Sequence, residues 1–380
     1  MARRSGDLAG AEDALADAFA TALERWPRDG VPERPEAWLI TVARRRLADR
    51  ARRSATPERF AAQLFAAAKS AEARAWHDKP FPDERLEMLF ACAHPAIDAG
   101  TRTPLVLRTV LGVDAGRIAS AFLVAPAAMR QRLVRARTKI RDAGIAFEVP
   151  ESTQLGDRIA VVLDAIYAAF GLSWEESGTG GAGSDLNAEA VWLARAVAEL
   201  LPREPEAHGL LALVLFVEAR RPARRDTQGA YVALDQQDPR HWSAPMLRQA
   251  EAALAAAQSP DPGRFALEAV IQAAHVARRS GAPTDWRTIA LLYDLLVSRC
   301  GAIGAAVSRA AAHARAYGDP AGLAALSTLD AARVARYQPY WALRAHLTGD
   351  PQDYDRAIGL AEDSATRSFL LARRAQCARQ

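Results

Sequence analysis

Apolar side chains recur at steps of three and four residues along most of this 380-residue chain. The clearest run is Met129, Leu133, Ala136 and Ile140, at steps of four, three and four. Such spacing lines one face of a helix, whereas a half-buried strand requires strict alternation. Alanine and arginine, both good helix formers, are used heavily. The sequence therefore predicts an all-α fold nearly throughout.

Length and composition restrict the class of protein further. Half of the residues are hydrophobic and a quarter are charged, which is typical of globular material. A chain this long favours two or three domains. The N-terminus leads directly into acidic helical sequence, and no uncharged run of about 18 apolar residues follows it anywhere. We therefore expect a cytoplasmic protein that does not contact a membrane.

Proline- and glycine-rich stretches divide the chain into four segments. These are an N-terminal module that is short at its start, an Ala-rich linker, a second helical module and a long helical extension, over residues 1–54, 55–81, 82–147 and 157–380. The predicted helices before the extension cover residues 11–26, 36–53, 83–93, 101–111, 114–122 and 126–141. A glycine loop, Ser177–Ser184, interrupts the extension. Its helices and Pro/Gly/Asp turns are typical of stacked hairpins, without a clean repeat signature.

The first predicted helix is amphipathic and has an acidic side. Its apolar row is Leu15, Phe19, Leu23 and Trp26. In a helical-wheel projection the other positions include the acidic residues Glu12, Asp13, Asp17 and Glu24. We expect this helix to stop at Pro27, where a Pro/Gly-rich loop extends to Pro35.

The second predicted helix carries the densest positive charge of the chain. Its apolar stripe is Trp38, Leu39, Val42 and Leu47, and its arginines are Arg44, Arg45, Arg46, Arg50, Arg52 and Arg53. Residues 1–150 contain 25 Lys+Arg against 19 Asp+Glu, a net +6, and residues 151–380 contain 24 against 26, a net −2. This asymmetry favours a polyanionic partner for the N-terminal part, although charge runs are often only solvated faces.

Residues 114–141 have the pattern of a helix-turn-helix. Ile118, Ala119 and Phe122 form the inner face of a short helix, and Pro126 suits the first turn of the next one. Opposite its buried stripe and on its flanks, the second helix presents Arg130, Gln131, Arg132, Arg135, Arg137 and Lys139. Such a helix can enter a major groove, where arginine reads guanine and glutamine reads adenine. Spacing alone is equally compatible with a surface helix whose arginines keep a bundle soluble.

The sequence offers no pattern for catalysis or metal binding. The histidines are dispersed, and Cys92, Cys300 and Cys377 are too far apart for a Cys-x-x-Cys pair. Cys92 and His94 lie two residues apart, which is typical of packing at a helix end. The glycine run lacks the Lys-Ser/Thr of a phosphate loop. We expect a protein that is not an enzyme and needs no metal and no cofactor.

Several segments, in order, resemble one bacterial family. Ala11–Phe19 and Glu36–Arg50, followed by the helix-turn-helix, look like an extracytoplasmic-function sigma factor, an initiation subunit of RNA polymerase. The segments that resemble the subgroup with a long helical, TPR-like C-terminal extension are Phe90–Pro95, Ile118–Val124, Gln131–Arg137, Lys139–Gly144, Thr284–Ile289, Leu291–Leu295 and Tyr337–Tyr340. The resemblance therefore covers nearly the whole chain.

This resemblance implies core RNA polymerase and promoter DNA as partners. Glu12, Asp13 and Asp17 would dock polymerase. The loop from Trp26 to Arg34 would bind the minus-10 element. The arginines that would contact this element and the opened strand are Arg28, Arg34, Arg44, Arg45, Arg46, Arg50, Arg52 and Arg53. The minus-35 element would meet Arg130, Gln131, Arg132, Arg135, Arg137 and Lys139. The extension would act as an intramolecular regulator or as a platform for a protein partner.

The sequence departs from the family pattern near its start. Ala16 stands where glutamine is usual, Arg45 stands where asparagine is usual, and little helical sequence precedes the acidic helix. Two other functions therefore stay open. One is a DNA-binding regulator without polymerase docking, and the other is a helical-repeat scaffold for protein contacts.

Overall fold

The computed structural model describes residues 8–54, 84–143, 145, 152–175, 182–281 and 283–377. These residues form eighteen α-helices and four short 3-10 helices. The part of the chain that is described contains no strand beyond an isolated bridge between Arg225 and Tyr231. The predicted all-α fold is confirmed.

Of these described helices, seven lie before residue 176 and eleven lie after residue 181. The first seven are α1 (Leu8–Asp29), α2 (Pro35–Ser54), α3 (Glu84–Cys92), α4 (Ala99–Thr109), α5 (Ala115–Ala121), α6 (Pro126–Asp142) and α7 (Ser152–Glu175). The others are α8 (Ala182–Leu200), α9 (Pro205–Glu218), α10 (Ala244–Ala256), α11 (Arg264–Val276), α12 (Trp286–Arg299), α13 (Ile303–Tyr317), α14 (Asp319–Ser327), α15 (Ala331–Val334), α16 (Gln338–Thr348), α17 (Pro351–Leu360) and α18 (Ser364–Cys377).

Contacts within the chain define two compact units. One comprises the described parts of residues 1–119 and 124–162, and the other comprises residues 120–123 and 163–380. The predicted linker, residues 55–81, lies outside the described residues, as does most of the predicted glycine loop. The last residues of that loop are helical, because α8 begins at Ala182.

Helices α1 and α2 pack through small side chains, which corrects the predicted inner face of α1. The buried residues of this contact are Ala14, Ala18, Ala22, Leu39 and Ala43. The predicted apolar row instead faces outward, with Leu15, Phe19 and Leu23 exposed by 38%, 50% and 79%. The prediction was wrong because periodicity ranks side chains by hydrophobicity, whereas close approach of two helices favours small ones.

The predicted end of α1 at Pro27 is also wrong. The helix includes Pro27 and continues to Asp29. It ends at Gly30, which adopts the left-handed φ of 84° and donates its N–H to the carbonyl of Trp26. Pro27 lacks the N–H that would bond the carbonyl of Leu23, so the last turn of α1 forms with one intrahelical bond fewer. Glycine at the residue after the helix supplies the actual stop.

Helices α3 to α6 lie within the predicted second helical module, residues 82–147, and each lies within two residues of its predicted bounds. The fully buried side chains of α3 and α4 include Leu86, Leu89, Phe90, Leu105 and Leu107. The residues predicted for the buried stripe of α6 are all buried, namely Met129, Leu133, Ala136 and Ile140. The core of this module therefore orients the opposite face of α6 outward.

In the second unit each helix packs mainly on the next one or two helices in the chain. This local pattern is characteristic of stacked helices, whose contacts are confined to neighbours. Helices α9 and α11 cross closely, and Gly209 of α9 contacts the backbone of Phe265 and Ala266 there. Among the described helices, none is long and apolar enough to cross a membrane.

Candidate nucleic-acid interface

The predicted helix-turn-helix begins at a capped N-terminus. The Asp114 carboxylate accepts a hydrogen bond of 2.7 Å from the Gly116 N–H, at the start of α5. This bond to Gly116 is the main reason that the pKa of Asp114 lies below its usual value. After α5, Leu123 adopts a positive φ of 55°, which is uncommon for a residue with a side chain. Pro126 then occupies the first turn of α6, as the sequence predicts.

The outer face of α6 is mainly polar and cationic. Its exposed residues include five of the six predicted for duplex recognition, namely Arg130, Gln131, Arg132, Arg135 and Lys139. Lys139 and Arg141 also lie in the last turn, where cations interact favourably with the helix dipole. The arrangement can offer planar guanidinium and amide groups to base edges and a row of cations to phosphates.

One exposed residue of this face, Val134, was missed by the sequence analysis. Its side chain is 58% exposed, one residue after the buried Leu133 and one turn after Arg130. An apolar side chain on a base-reading face can contact the methyl group of thymine. The sequence could have indicated this exposure, because Val134 is hydrophobic but does not belong to the buried stripe of α6.

The sixth predicted residue, Arg137, is bonded within the same unit to a residue predicted for another partner. Its Nη2 lies 2.8 Å from one carboxylate oxygen of Glu12 and 3.1 Å from the other. Burial raises the pKa of Glu12, and the positive charges of Arg137 and Arg108 oppose that shift. The predicted polymerase-docking helix α1 therefore contacts the predicted DNA-reading helix α6 through this pair.

The other predicted docking residues and the predicted minus-10 residues lie mostly at the surface of the first unit. Asp13 is exposed and Asp17 is half-buried. The exposed arginines are Arg28 in the last turn of α1, Arg34 in the loop, and Arg44, Arg45 and Arg46 of α2. The predicted loop from Trp26 to Arg34 is therefore helical up to Asp29. The side chains of Arg50, Arg52 and Arg53 lie outside the described residues, although their backbone belongs to α2.

The apolar stripe predicted for α2 packs against α1. Leu39 is buried, and Trp38, Val42 and Leu47 are half-buried around it. The Trp38 ring lies 5.6 Å from that of Trp26, in a tilted arrangement. This contact agrees with the core role that the helical register predicts for Trp38.

The geometry around Cys92 does not suit nucleophilic catalysis. The thiol is fully buried, and burial raises its pKa to about 12, with the Glu12 carboxylate adding to the shift. A reactive cysteine instead requires a lowered pKa and access. The Nδ1 atom of His94 accepts a hydrogen bond from the Ala96 N–H at 3.1 Å. Within the described ranges, no group of three or more His, Cys, Asp and Glu side chains could hold a metal ion.

Comparison with known proteins assigns families to two parts of the chain. The sigma-70 region 2 family matches residues 1–56, which include α1 and α2. A family of unknown function, DUF6596, matches residues 158–258. No solved structure matches the chain.

One relative spans almost the whole chain. The "Uncharacterized protein R00370" of Rhizobium meliloti (strain 1021) is 36% identical over 381 residues, which cover 97% of this chain and 89% of the relative. The shared organisation therefore extends from the region 2 segment through the helical extension. The chain therefore belongs to the same family as this rhizobial protein, and its first 56 residues are similar to region 2 of sigma-70 factors.

Proposed function

We propose that the chain is an extracytoplasmic-function type sigma factor in which α6 reads the minus-35 element as duplex DNA. The observation that carries this proposal is the outer face of α6, where Arg130, Gln131 and Arg135 are exposed opposite a fully buried stripe. The turn with Leu123 and the N-terminal Pro126 support the geometry of a helix-turn-helix. In this motif the N-terminal residues of the second helix contact base edges.

The minus-10 element and the opened strand are the proposed ligands of α2 and of the loop before it. The exposed cations Arg28, Arg34, Arg44, Arg45 and Arg46 support this role, because arginines neutralise phosphates along a strand. The backbone of Arg50, Arg52 and Arg53 continues the same helix. Trp38 is assigned to the core of the module rather than to base stacking.

The outer face of α1 is the proposed docking surface for core RNA polymerase. Asp13 is exposed on this helix, as are the apolar side chains of Leu15, Phe19 and Leu23. An apolar row flanked by acidic side chains suits a helical partner that has complementary charges. The helical extension, whose helices pack mainly on their neighbours along the chain, is proposed to be TPR-like and to act as a regulator or as a platform for a protein partner.

A pull-down with core polymerase tests the sigma assignment. The full-length chain is expected to retain core polymerase, and Asp13→Arg is expected to reduce retention about tenfold because like charges then meet at the contact. Asp29→Arg is the matched control, since it reverses an exposed carboxylate at the far end of the same helix. Failure of the unsubstituted chain to retain polymerase would favour a DNA-binding regulator that acts without polymerase.

The bond between Glu12 and Arg137 adds a constraint on DNA binding. While this pair exists, Arg137 cannot place its paired Nη2 atom on a phosphate, and the Glu12 carboxylate adds a negative charge beside the DNA-reading helix. We propose that promoter DNA competes with Glu12 for Arg137, so that the pair reduces the DNA affinity of the chain.

Glu12→Gln is expected to raise the affinity for promoter DNA about threefold to tenfold, as a partly exposed ion pair contributes about 1 kcal/mol. The stability of the fold should change little. The raised pKa of Glu12 indicates that the attraction of Arg137 does not fully offset the desolvation cost of the buried carboxylate. Fluorescence anisotropy with promoter duplex measures the affinity. Glu24→Gln removes the same charge from an exposed site on α1, and equal gains for the two variants would contradict the competition.

A further inference from the structure

A small cavity in the second unit has an unusual charge and aromatic lining. It encloses about 160 Å³ between the segment that joins α9 to α10, the end of α11, the start of α12 and α13. Its wall comprises Leu234, Asp235, His275, Arg278, Thr284, Trp286 and Arg315. Thr284 and Trp286 come from the Thr284–Ile289 segment, to which the proposed DNA and polymerase contacts assign no role.

The most informative residue of the cavity is His275, which is only 8% exposed. Its ring meets that of Trp286 edge to face, with centroids 5.4 Å apart. No hydrogen bond to the ring is formed within the part of the chain that the structure describes. Burial and the charges of Arg220 and Arg278 lower the pKa of His275 to about 4. The neutral ring can therefore donate one N–H into the cavity.

The surroundings of the cavity carry more positive charge than nearby carboxylates neutralise. Behind His275, Arg220 is 8% exposed and bonds only the neutral oxygens of Phe216 and Gln272 among the described residues. Burial lowers the pKa of Arg220 to about 10, so this guanidinium stays charged at neutral pH. Because its hydrogen-bond partners are neutral, the positive charge of this buried cation is not neutralised, and it attracts an anion nearby.

Two further arginines line the cavity itself. Arg278 lies 4.9 Å from the Trp242 ring and donates to the carbonyls of Leu234, Asp235 and Gln237, while its buried Nε has no partner. This guanidinium therefore holds the wall in place and keeps its charge.

Arg315 is the more exposed of the two lining arginines. It lies 4.9 Å from the Trp286 ring and 3.4 Å from the Asp235 carboxylate. This separation is long for a charge-assisted hydrogen bond, which is usually about 2.7–2.9 Å. An anion in the cavity can therefore compete for Arg315.

We propose that this cavity binds a small organic carboxylate. Its two oxygens would accept from the Arg315 guanidinium and the His275 ring, and its short carbon chain would lie on the Trp286 indole. The volume corresponds to about five water molecules, which limits the ligand to a few heavy atoms. Two arginines against Asp235 leave a single excess positive charge in the lining, which favours a monoanion over a phosphate dianion.

The site joins the segment between α9 and α10 to three later helices. The lining residues between α9 and α10 lie within residues 158–258, the range that matches the family of unknown function. A bound carboxylate would therefore couple this segment to α11, α12 and α13. This inference does not depend on the DNA-binding or polymerase-binding roles of the first unit.

Calorimetric titration of the full chain with sodium acetate, at ionic strength held constant with sodium chloride, tests the proposal. Saturable binding of acetate is expected, with sodium phosphate binding more weakly. Arg315→Gln removes the exposed cation and is expected to weaken acetate binding about tenfold to hundredfold. Arg287→Gln is the matched control, because Arg287 is an exposed arginine of α12 outside the cavity, and it should leave binding unchanged.

His275→Phe provides a second variant that keeps the ring volume against Trp286 and removes the hydrogen-bonding nitrogens. It is expected to fold and to lose acetate binding. Absence of saturable acetate binding, preference for phosphate, or equal weakening by Arg315→Gln and Arg287→Gln would each overturn the proposal.

Discussion

Gly209→Ala is expected to destabilise the second unit by about 2–4 kcal/mol, although alanine is the better helix former by about 1 kcal/mol. A Cβ atom at Gly209 would lie 2.5 Å from the Ala266 nitrogen and 2.9 Å from the Ala266 Cα. These are backbone atoms of α11, so no side-chain rotation relieves the clash. The helices α9 and α11 must therefore separate.

Separation would also break a second connection at this crossing. The Glu206 carboxylate, one turn before Gly209, accepts from the Phe265 N–H at 2.8 Å and from the Ala266 N–H at 3.0 Å. These bonds satisfy backbone donors at the start of α11, which otherwise lack intrahelical partners. Charge-assisted bonds of this kind contribute about 1.5–3 kcal/mol each, and a shift of α11 weakens both.

Thermal unfolding measures the effect of Gly209→Ala, with an expected fall in melting temperature of roughly 5–10 °C. Gly171→Ala is the matched control, because no atom lies within 4 Å of a Cβ built at this exposed residue of α7. That change should raise stability by about 0.5–1 kcal/mol. Equal effects of the two substitutions, or a stabilising Gly209→Ala, would show that the crossing is looser than the structure indicates.

Arg130→Ala is expected to cost about 1–3 kcal/mol of DNA-binding free energy at one base pair of the minus-35 element. Arg130 is exposed in the first half of α6, where recognition helices contact base edges. Its guanidinium can bond guanine bidentately, and loss of that contact removes discrimination at one position. Binding to a set of duplexes, each changed at a single position, measures the effect.

Two controls separate base reading from simple charge. Arg203→Ala removes the same charge from an exposed position in the second unit and should leave DNA binding nearly unchanged. If Arg130 contacts a phosphate instead, affinity should fall equally for all duplexes. The slope of log affinity against log salt concentration should then decrease by about one. If the unsubstituted chain retained no promoter DNA at low salt, the scaffold function would replace the DNA-binding one.

The α6 face shows how far the helical period predicts a site. A stripe at steps of four, three and four leaves only one face for Arg130, Gln131 and Arg135. Because a 3.6-residue period is a property of the local chain, the fold class, the helix and its outer face followed from the sequence. The sequence analysis assigned no role to Val134, although its position off the buried stripe placed it on the outer face.

The face that α1 buries was decided by packing in three dimensions. Ala14, Ala18 and Ala22 allow α2 to approach closely, so the larger Leu15 and Phe19 remain outside. The pairing of Glu12 with Arg137, 125 positions apart, likewise has no local signature. The approach of α11 to Gly209 and the cavity at His275 also join segments that are distant along the chain. Local periodicity reports which residues share a helix face, whereas contact partners depend on the closeness and geometry of helices that only the folded chain brings together.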